Sequence, residues 1–269
     1  MELFDLRGFA LICLIFIPLE RLLALRNYKV LRSGWRVDLA HVFIGGLLVK
    51  FGISFVILIA LAITEQFVPP GIQNAIGGQP LWLATIAAIV VADICFYTVH
   101  RMFHEVPFLW KFHAIHHSSE RLDWLAAHRV HPVDQILTKG AGLFLLFVLG
   151  FSLEAIILSQ LIYKWHALLL HANTRIAIGP LKWLVASPHF HHWHHSDAPE
   201  AIDKNFAGQL SILDLVFGTY YAPEGKYPES YGCDTPVPDG YLGQIAYPLR
   251  PPCDHETEER PAHTIPEKL

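Results

Sequence analysis

"LWLATIAAIVVADICFYTVHRMFH", residues 81–104, begins as an apolar run and ends as a histidine motif. The run from Leu81 to Val99 is long enough to cross a bilayer as a helix. His100 and His104 follow at i,i+4, about 40° apart on one helical face and one turn apart along it. Asp93, Tyr97, His100 and His104 are separated by steps of 4, 3 and 4 residues. They form one polar stripe on an otherwise apolar helix. A carboxylate in a membrane-buried helix is costly without a partner. The expected role of Asp93 is to accept the free N–H of a metal-ligating histidine. The plainer reading is a hydrogen-bond partner with no connection to metal.

Outward from this helix, the chain reads as a membrane protein. Of 269 residues, 53% are hydrophobic and 16% charged, well below the charged share of most soluble domains. The formal net charge of -4 gives no sign of a nucleic-acid partner. Cys13, Cys95, Cys233 and Cys253 form no CxxC and read as packing residues. Apolar runs also cover Phe9–Leu25, Leu39–Thr64, Ile136–Gly150 and Leu153–Trp165. The first lacks a small-residue cleavage site and reads as a signal anchor. The last two are short and flank a Gly-Phe-Ser turn, which predicts either a tight helical hairpin or a re-entrant pair. Arg26, Lys29, Arg32 and Arg36 follow the first run, whereas residues 65–80 carry no Lys or Arg. The positive-inside rule makes the first of these loops cytoplasmic and the second not. Tracing the segments in order then puts every clustered histidine on the cytoplasmic face.

The expected fold class is all-α and integral to the membrane, with about four transmembrane helices and a cytosolic, histidine-rich helical cap. One domain is expected over residues 1–249, with its chemistry in 93–220. Residues 250–269 read as an irregular tail.

Seventeen histidines against two methionines is the compositional oddity. "HAIHH" places His113, His116 and His117 at i, i+3, i+4, and "SPHFHHWHHS" places His191, His194 and His195 in the same pattern. His189 and His192 fall off that second face by roughly 100° or more, and they stay as secondary ligand candidates. His166 and His171, at i,i+5, share a face only if the helix carries a kink or π-bulge. Eight imidazoles on three faces exceed what one ion takes, which points to two metals. Imidazole suits Zn, Cu, Fe and Ni, so the ligands alone do not choose the element. Arg129 and His131, in "HRVHP", read as groups behind the ligands or at a substrate mouth. His128 reads as a loop-surface or substrate-mouth residue. Asp214 is expected to support the third box as Asp93 supports the first. His41 reads as a polar core residue, and His255 and His263 as tail residues.

At "DICFYTVHRMFH", "HAIHH", "LDWLAAHRVHP", "HANTR" and "SPHFHHWHH", followed by "DKNFAGQLSILDLVFGTY", the chain resembles the fatty acid hydroxylase / sterol desaturase superfamily. The last of these stretches is also similar to the alkylglycerol monooxygenase branch. The resemblance runs from about Asp93 to Tyr220. It implies two non-haem irons, O2 as co-substrate and a membrane lipid as substrate, be it fatty acyl, sterol or ether lipid. By position it implies His100, His104, His113, His116, His117, His171, His191, His194 and His195 as ligands, with His166 a weaker candidate. Zinc can occupy such sites in purified protein.

The reaction expected is hydroxylation of a lipid C–H bond, with desaturation at the same site as the alternative. The chain shows no GxGxxG and no cysteine quartet. Electrons are therefore expected from a separate ferredoxin, cytochrome or reductase, and the alkylglycerol likeness adds a pterin. Two other classes compete: a histidine-rich metal transporter, which would place ligands at the bilayer midplane, and a zinc-stabilised membrane protein.

Overall fold

The computed structural model describes residues 6–250. The tail expected over 250–269 falls outside the described residues apart from Arg250, as do Cys253, His255 and His263. Eleven α-helices occur among the described residues, and no strand. They are α1 (Leu6–Leu22), α2 (Trp35–Ala40), α3 (Gly46–Phe67), α4 (Pro70–Gly77), α5 (Leu81–Glu105), α6 (Pro107–His117), α7 (Pro132–Leu149), α8 (Leu153–His171), α9 (Pro188–His194), α10 (Ile212–Phe217) and α11 (Tyr241–Ala246).

Four stretches are long and apolar enough to cross a membrane: Trp35–Phe67, α5, α7 and α8. Their outward faces stay apolar. Phe51, Phe55 and Leu58 on α3, Ile86 on α5, and Ile157 and Leu161 on α8 are all exposed. In water such a surface would be unfavourable; against lipid tails it is not. The inward contacts are made by small residues. A Cβ on Gly142 of α7 would lie 3.1 Å from the Ala92 Cα of α5, so these two backbones approach more closely than side chains would allow. Ala88, Leu143, Leu146 and Ile156 fill the seam where α5, α7 and α8 meet.

The hairpin is longer than its apolar runs suggested. α7 starts four residues earlier, at Pro132, and α8 runs on to His171. At 18 and 19 residues each arm is about 27–29 Å long, close to the thickness of the hydrocarbon core. The polar residues that shortened the sequence reading belong to the helix ends. Gly150 makes the turn with φ 80, a left-handed value that favours glycine, and Ser152 caps α8 by accepting from the Ala155 N–H.

α2 passes into α3 through one π-helical turn, His41–Gly45. Its buried His41 is held by the Gln244 Oε1 at 2.8 Å and the Val130 carbonyl at 3.2 Å, the polar core role expected of it. The first apolar run forms α1, which leans on Trp124. Phe9 and Phe16 lie 6.0 and 6.3 Å from that ring, and Phe16 also stacks on Trp165 at 6.1 Å.

Three of the four long stretches bring histidine-bearing ends together. α5 finishes in His100 and His104, α8 finishes in His171, and α7 begins beside His131. At 25 residues α5 is about 37 Å long, so its last turns reach past a core of about 30 Å. α6, α9 and the segments around them close over this end. A buried ion-pair chain ties the closure down. Arg32 grips Asp123 with two nitrogens at 2.6 and 2.7 Å and reaches Asp38 at 2.7 Å, and Arg129 meets the other oxygen of Asp38 at 2.6 Å. Each charge is paired and hydrogen-bonded, as burial demands.

Candidate metal centre

Nine histidines converge beneath this cap in two groups. His100, His104, His113, His117 and His194 form one; His116, His171, His191 and His195 form the other. All nine are buried. Within each group the ligand atoms lie within 4.8 Å of one another. Each HxxHH box is divided between the groups. α6 sends its i,i+4 pair, His113 and His117, to the first and His116 to the second. α9 sends His194 to the first, while His191 and the adjoining His195 go to the second. Neighbouring helical residues point about 100° apart, so one box can face two centres. The groups touch where the His117 and His195 rings stack at 4.5 Å.

The outer ring nitrogens fix which atoms face inward. Nδ1 of His100 bonds the Phe206 carbonyl at 2.7 Å, and Nδ1 of His113 bonds Asp134 at 2.6 Å. Nδ1 of His116, His171 and His194 meet the carbonyls of Arg129, Ala167 and Lys204 at 3.1, 2.8 and 2.8 Å. Nδ1 of His104 faces Asp203 at 3.2 Å. An oxygen partner makes each Nδ1 the donor, and a neutral ring then carries a bare lone pair on Nε2.

Those lone pairs face each other. Nε2 of His100 and His113 are 2.9 Å apart, and Nε2 of His116 and His171 are 3.1 Å apart. His117 and His191, whose Nδ1 atoms meet no oxygen among the described residues, bring their Nε2 within 3.1 and 2.9 Å of those of His194 and His171. Acceptors pressed together in a dry interior repel unless a cation lies between them. Burial first, and neighbouring imidazoles second, hold His116, His117, His191 and His195 well below the ordinary histidine range. His194 is pushed down to about 3, chiefly by burial. Protons are therefore poor candidates for that cation near neutral pH. A metal about 2.0–2.1 Å from each nitrogen requires nitrogens about 3 Å apart, and the donor set fits one ion per group.

The remaining sequence candidates fall outside both groups. His166 bonds the Ala186 carbonyl at 2.9 Å, and the half-buried His189 bonds the Lys226 carbonyl at 2.6 Å. His192 has both nitrogens occupied, by the Tyr231 hydroxyl at 2.8 Å and the Ala172 carbonyl at 3.1 Å. His131 accepts from the Val133 N–H and meets the Ile245 carbonyl, so it caps α7. Arg129 supports His116 through its own carbonyl. Tyr97 bonds Thr219 at 2.9 Å and touches no ligand nitrogen through its hydroxyl.

Asp93 and Asp214 correct the sequence expectation. Neither carboxylate meets a histidine. Asp93 accepts the backbone N–H groups of Gly208, Gln209 and Leu210 at 3.0, 2.9 and 2.7 Å. Asp214 accepts those of Phe206 and Ala207 at 2.8 and 2.9 Å. Together they clamp the loop whose Phe206 carbonyl orients His100. That loop has no secondary structure of its own to satisfy its amides, and two buried carboxylates supply the acceptors. The carboxylates that do face imidazoles are Asp134 and Asp203. Asp203 has φ 56, a left-handed value tolerated best by Asp and Asn after glycine. The signal for Asp134 was present in "HPVDQ": a carboxylate in the first turn of an apolar helix, adjoining a histidine motif. Asp134→Asn is expected to weaken metal retention about 10- to 100-fold without unfolding the bundle. Metal analysis after dialysis against a graded chelator series checks this.

Known proteins share part of this sequence. An ornithine lipid hydroxylase of Rhizobium tropici is 31% identical over 170 residues, covering 63% of this chain and 51% of that protein. Alkylglycerol monooxygenases of Xenopus tropicalis and Homo sapiens are 33% and 35% identical over 157 and 153 residues, covering 58% and 56% of this chain and 33% of each relative. The chain thus spans between a third and about half of the length of these relatives. No solved structure matches it. Residues 85–219, half of the 269, match the fatty acid hydroxylase family, and they hold eight helical-box histidines together with His171 and the clamped loop. The chain belongs to the fatty acid hydroxylase family.

Proposed function

We propose that the protein is an O2-dependent hydroxylase of a membrane lipid, with nine histidines holding two irons. The observation that carries this reading is the two adjoining groups of inward-facing imidazole nitrogens. Two irons bound there would supply the redox chemistry that places one oxygen atom of O2 in a C–H bond, while two electrons and two protons take the other to water. The chain's own contribution is to orient and to exclude. Asp134, Asp203 and the carbonyls of Phe206, Arg129, Ala167 and Lys204 fix the ring orientations before metal arrives. Phe206 and Trp110 lie 5.1 and 5.2 Å from the His104 ring, and Phe103 lies 5.9 Å from His113. These rings keep water from the first group, which strengthens electrostatic interactions within it.

The likeness to an ornithine lipid hydroxylase and to alkylglycerol monooxygenases supports a lipid substrate with a polar head. The electrons come from a separate donor, a ferredoxin, cytochrome or reductase, or a pterin. Arg26, Lys29, Arg32 and Arg36 lie at the histidine end of the bundle, which favours the cytoplasm for that end. Ligand placement argues against metal transport. α5 contributes from its last two turns and α8 from its last residue, not from the midplane.

The test is lipid mass spectrometry on cells expressing the chain under 18O2. A lipid that gains one 18O atom supports the proposal. A lipid that only loses two hydrogens would make the enzyme a desaturase. An unchanged lipid profile with iron-free protein would return the structural-zinc or transport reading.

A further inference from the structure

A second site lies apart from the histidines. α1 and residues 24–39 enclose a cleft of about 410 Å³, within the range of small-ligand pockets. No histidine lines it. Its inner wall is apolar: Phe9, Cys13 and Ile17 from α1, facing Trp35 and Leu39. Its rim carries four cations, Arg21, Arg26, Lys29 and Arg175.

The carboxylates at the cleft are already engaged. Glu20 accepts the backbone N–H groups of Trp124 and Asn173 at 2.8 and 2.9 Å. Asp123 is gripped by Arg32 and also accepts the Ala126 N–H at 2.9 Å. The rim cations meet no carboxylate among the described residues. Arg26 bonds the carbonyls of Glu229 and Pro228, and Arg175 meets the Leu25 carbonyl at 3.4 Å. Arg21 and Lys29 are exposed and have no hydrogen-bond or ion-pair partner among the described residues. Beside them, large apolar side chains point outward: Leu22 is 82% exposed and Leu31 63%, with Leu23 and Val30 also exposed. Exposed leucines next to unpaired cations suit the headgroup level of a bilayer.

We propose that this cleft binds one anionic lipid, its acyl chain along Phe9, Ile17 and Leu39 and its phosphate at Arg21 and Lys29. The charge excess at the rim selects the anionic head, and the apolar wall requires the tail. Its occupancy is read without turnover, so the test does not depend on the metal chemistry.

The test is native mass spectrometry of the full chain in detergent, incubated with dioleoylphosphatidylglycerol or dioleoylphosphatidylcholine. One phosphatidylglycerol per chain should be retained, about 10-fold or more in preference to phosphatidylcholine. Arg21→Ala with Lys29→Ala, both at the surface, should remove that preference and leave metal content unchanged. Ile17→Trp, which fills the apolar wall, should lower retention of phosphatidylglycerol at unchanged helical content by circular dichroism. Equal retention of the two lipids by the unaltered chain, or a preference that survives the double substitution, would overturn the proposal.

Discussion

His113→Ala should lower lipid hydroxylation by more than about 100-fold and release metal from the first histidine group, while the chain still inserts in membranes. Loss of a ligand should exceed the 10- to 100-fold effect typical of groups behind one. Nε2 of His113 lies 2.9 Å from that of His100 and 3.2 Å from that of His117, so one truncation removes a shared corner of the group. The same truncation strands Asp134, whose carboxylate bonds His113 at 2.6 Å. An unpaired buried carboxylate adds a local penalty that the reverse change, Asp134→Asn, does not. His189→Ala is the matched control. Its ring is half-buried and outside both groups, so metal content should not change. Equal activity and equal metal in both variants would remove His113 from the ligand set.

Asp93→Ala should destabilise the bundle by about 3 kcal/mol or more, read as a lowered unfolding midpoint in detergent. Three backbone N–H groups lose their acceptor together, at roughly 1–3 kcal/mol for each buried donor left unsatisfied. Metal retention should fall as a consequence, because the released loop carries the Phe206 carbonyl that orients His100. The order of events distinguishes this from a direct role. Structural loosening should accompany metal loss in Asp93→Ala, whereas Asp134→Asn should lose metal from a bundle that is still intact. A variant with wild-type stability would show that the 206–210 loop has other anchors.

The contrast between these two aspartates shows where sequence reasoning stopped. The histidine faces were legible because helical periodicity is local. His100 with His104, and His113 with His117, need only a helix to meet. The division of each box between two centres also follows from a 100° step, although it shows only once α6 and α9 are seen facing one another. The partner of a carboxylate is a different problem. Asp93 meets amides 115 to 117 residues away, and His104 meets Asp203 across 99 residues. Nothing in the spacing of "DICFYTVH" encodes the approach of that loop. The stripe from Asp93 to His104 was read correctly as a polar face, but its two ends serve different partners. The membrane helices were legible in number and less so in length. Polar end residues such as Asp134 and His166 bounded the apolar runs, yet they lie within helices that continue to Pro132 and His171.

In the proposed enzyme each of the two groups of imidazoles holds one iron. Iron stoichiometry decides this, in protein purified without oxygen and reconstituted with ferrous iron, measured alongside His113→Ala and His191→Ala. Two irons are expected per wild-type chain and one fewer in each variant, since each substitution touches one group. A wild-type chain that takes up one iron or none, or variants that keep the full complement, would contradict it.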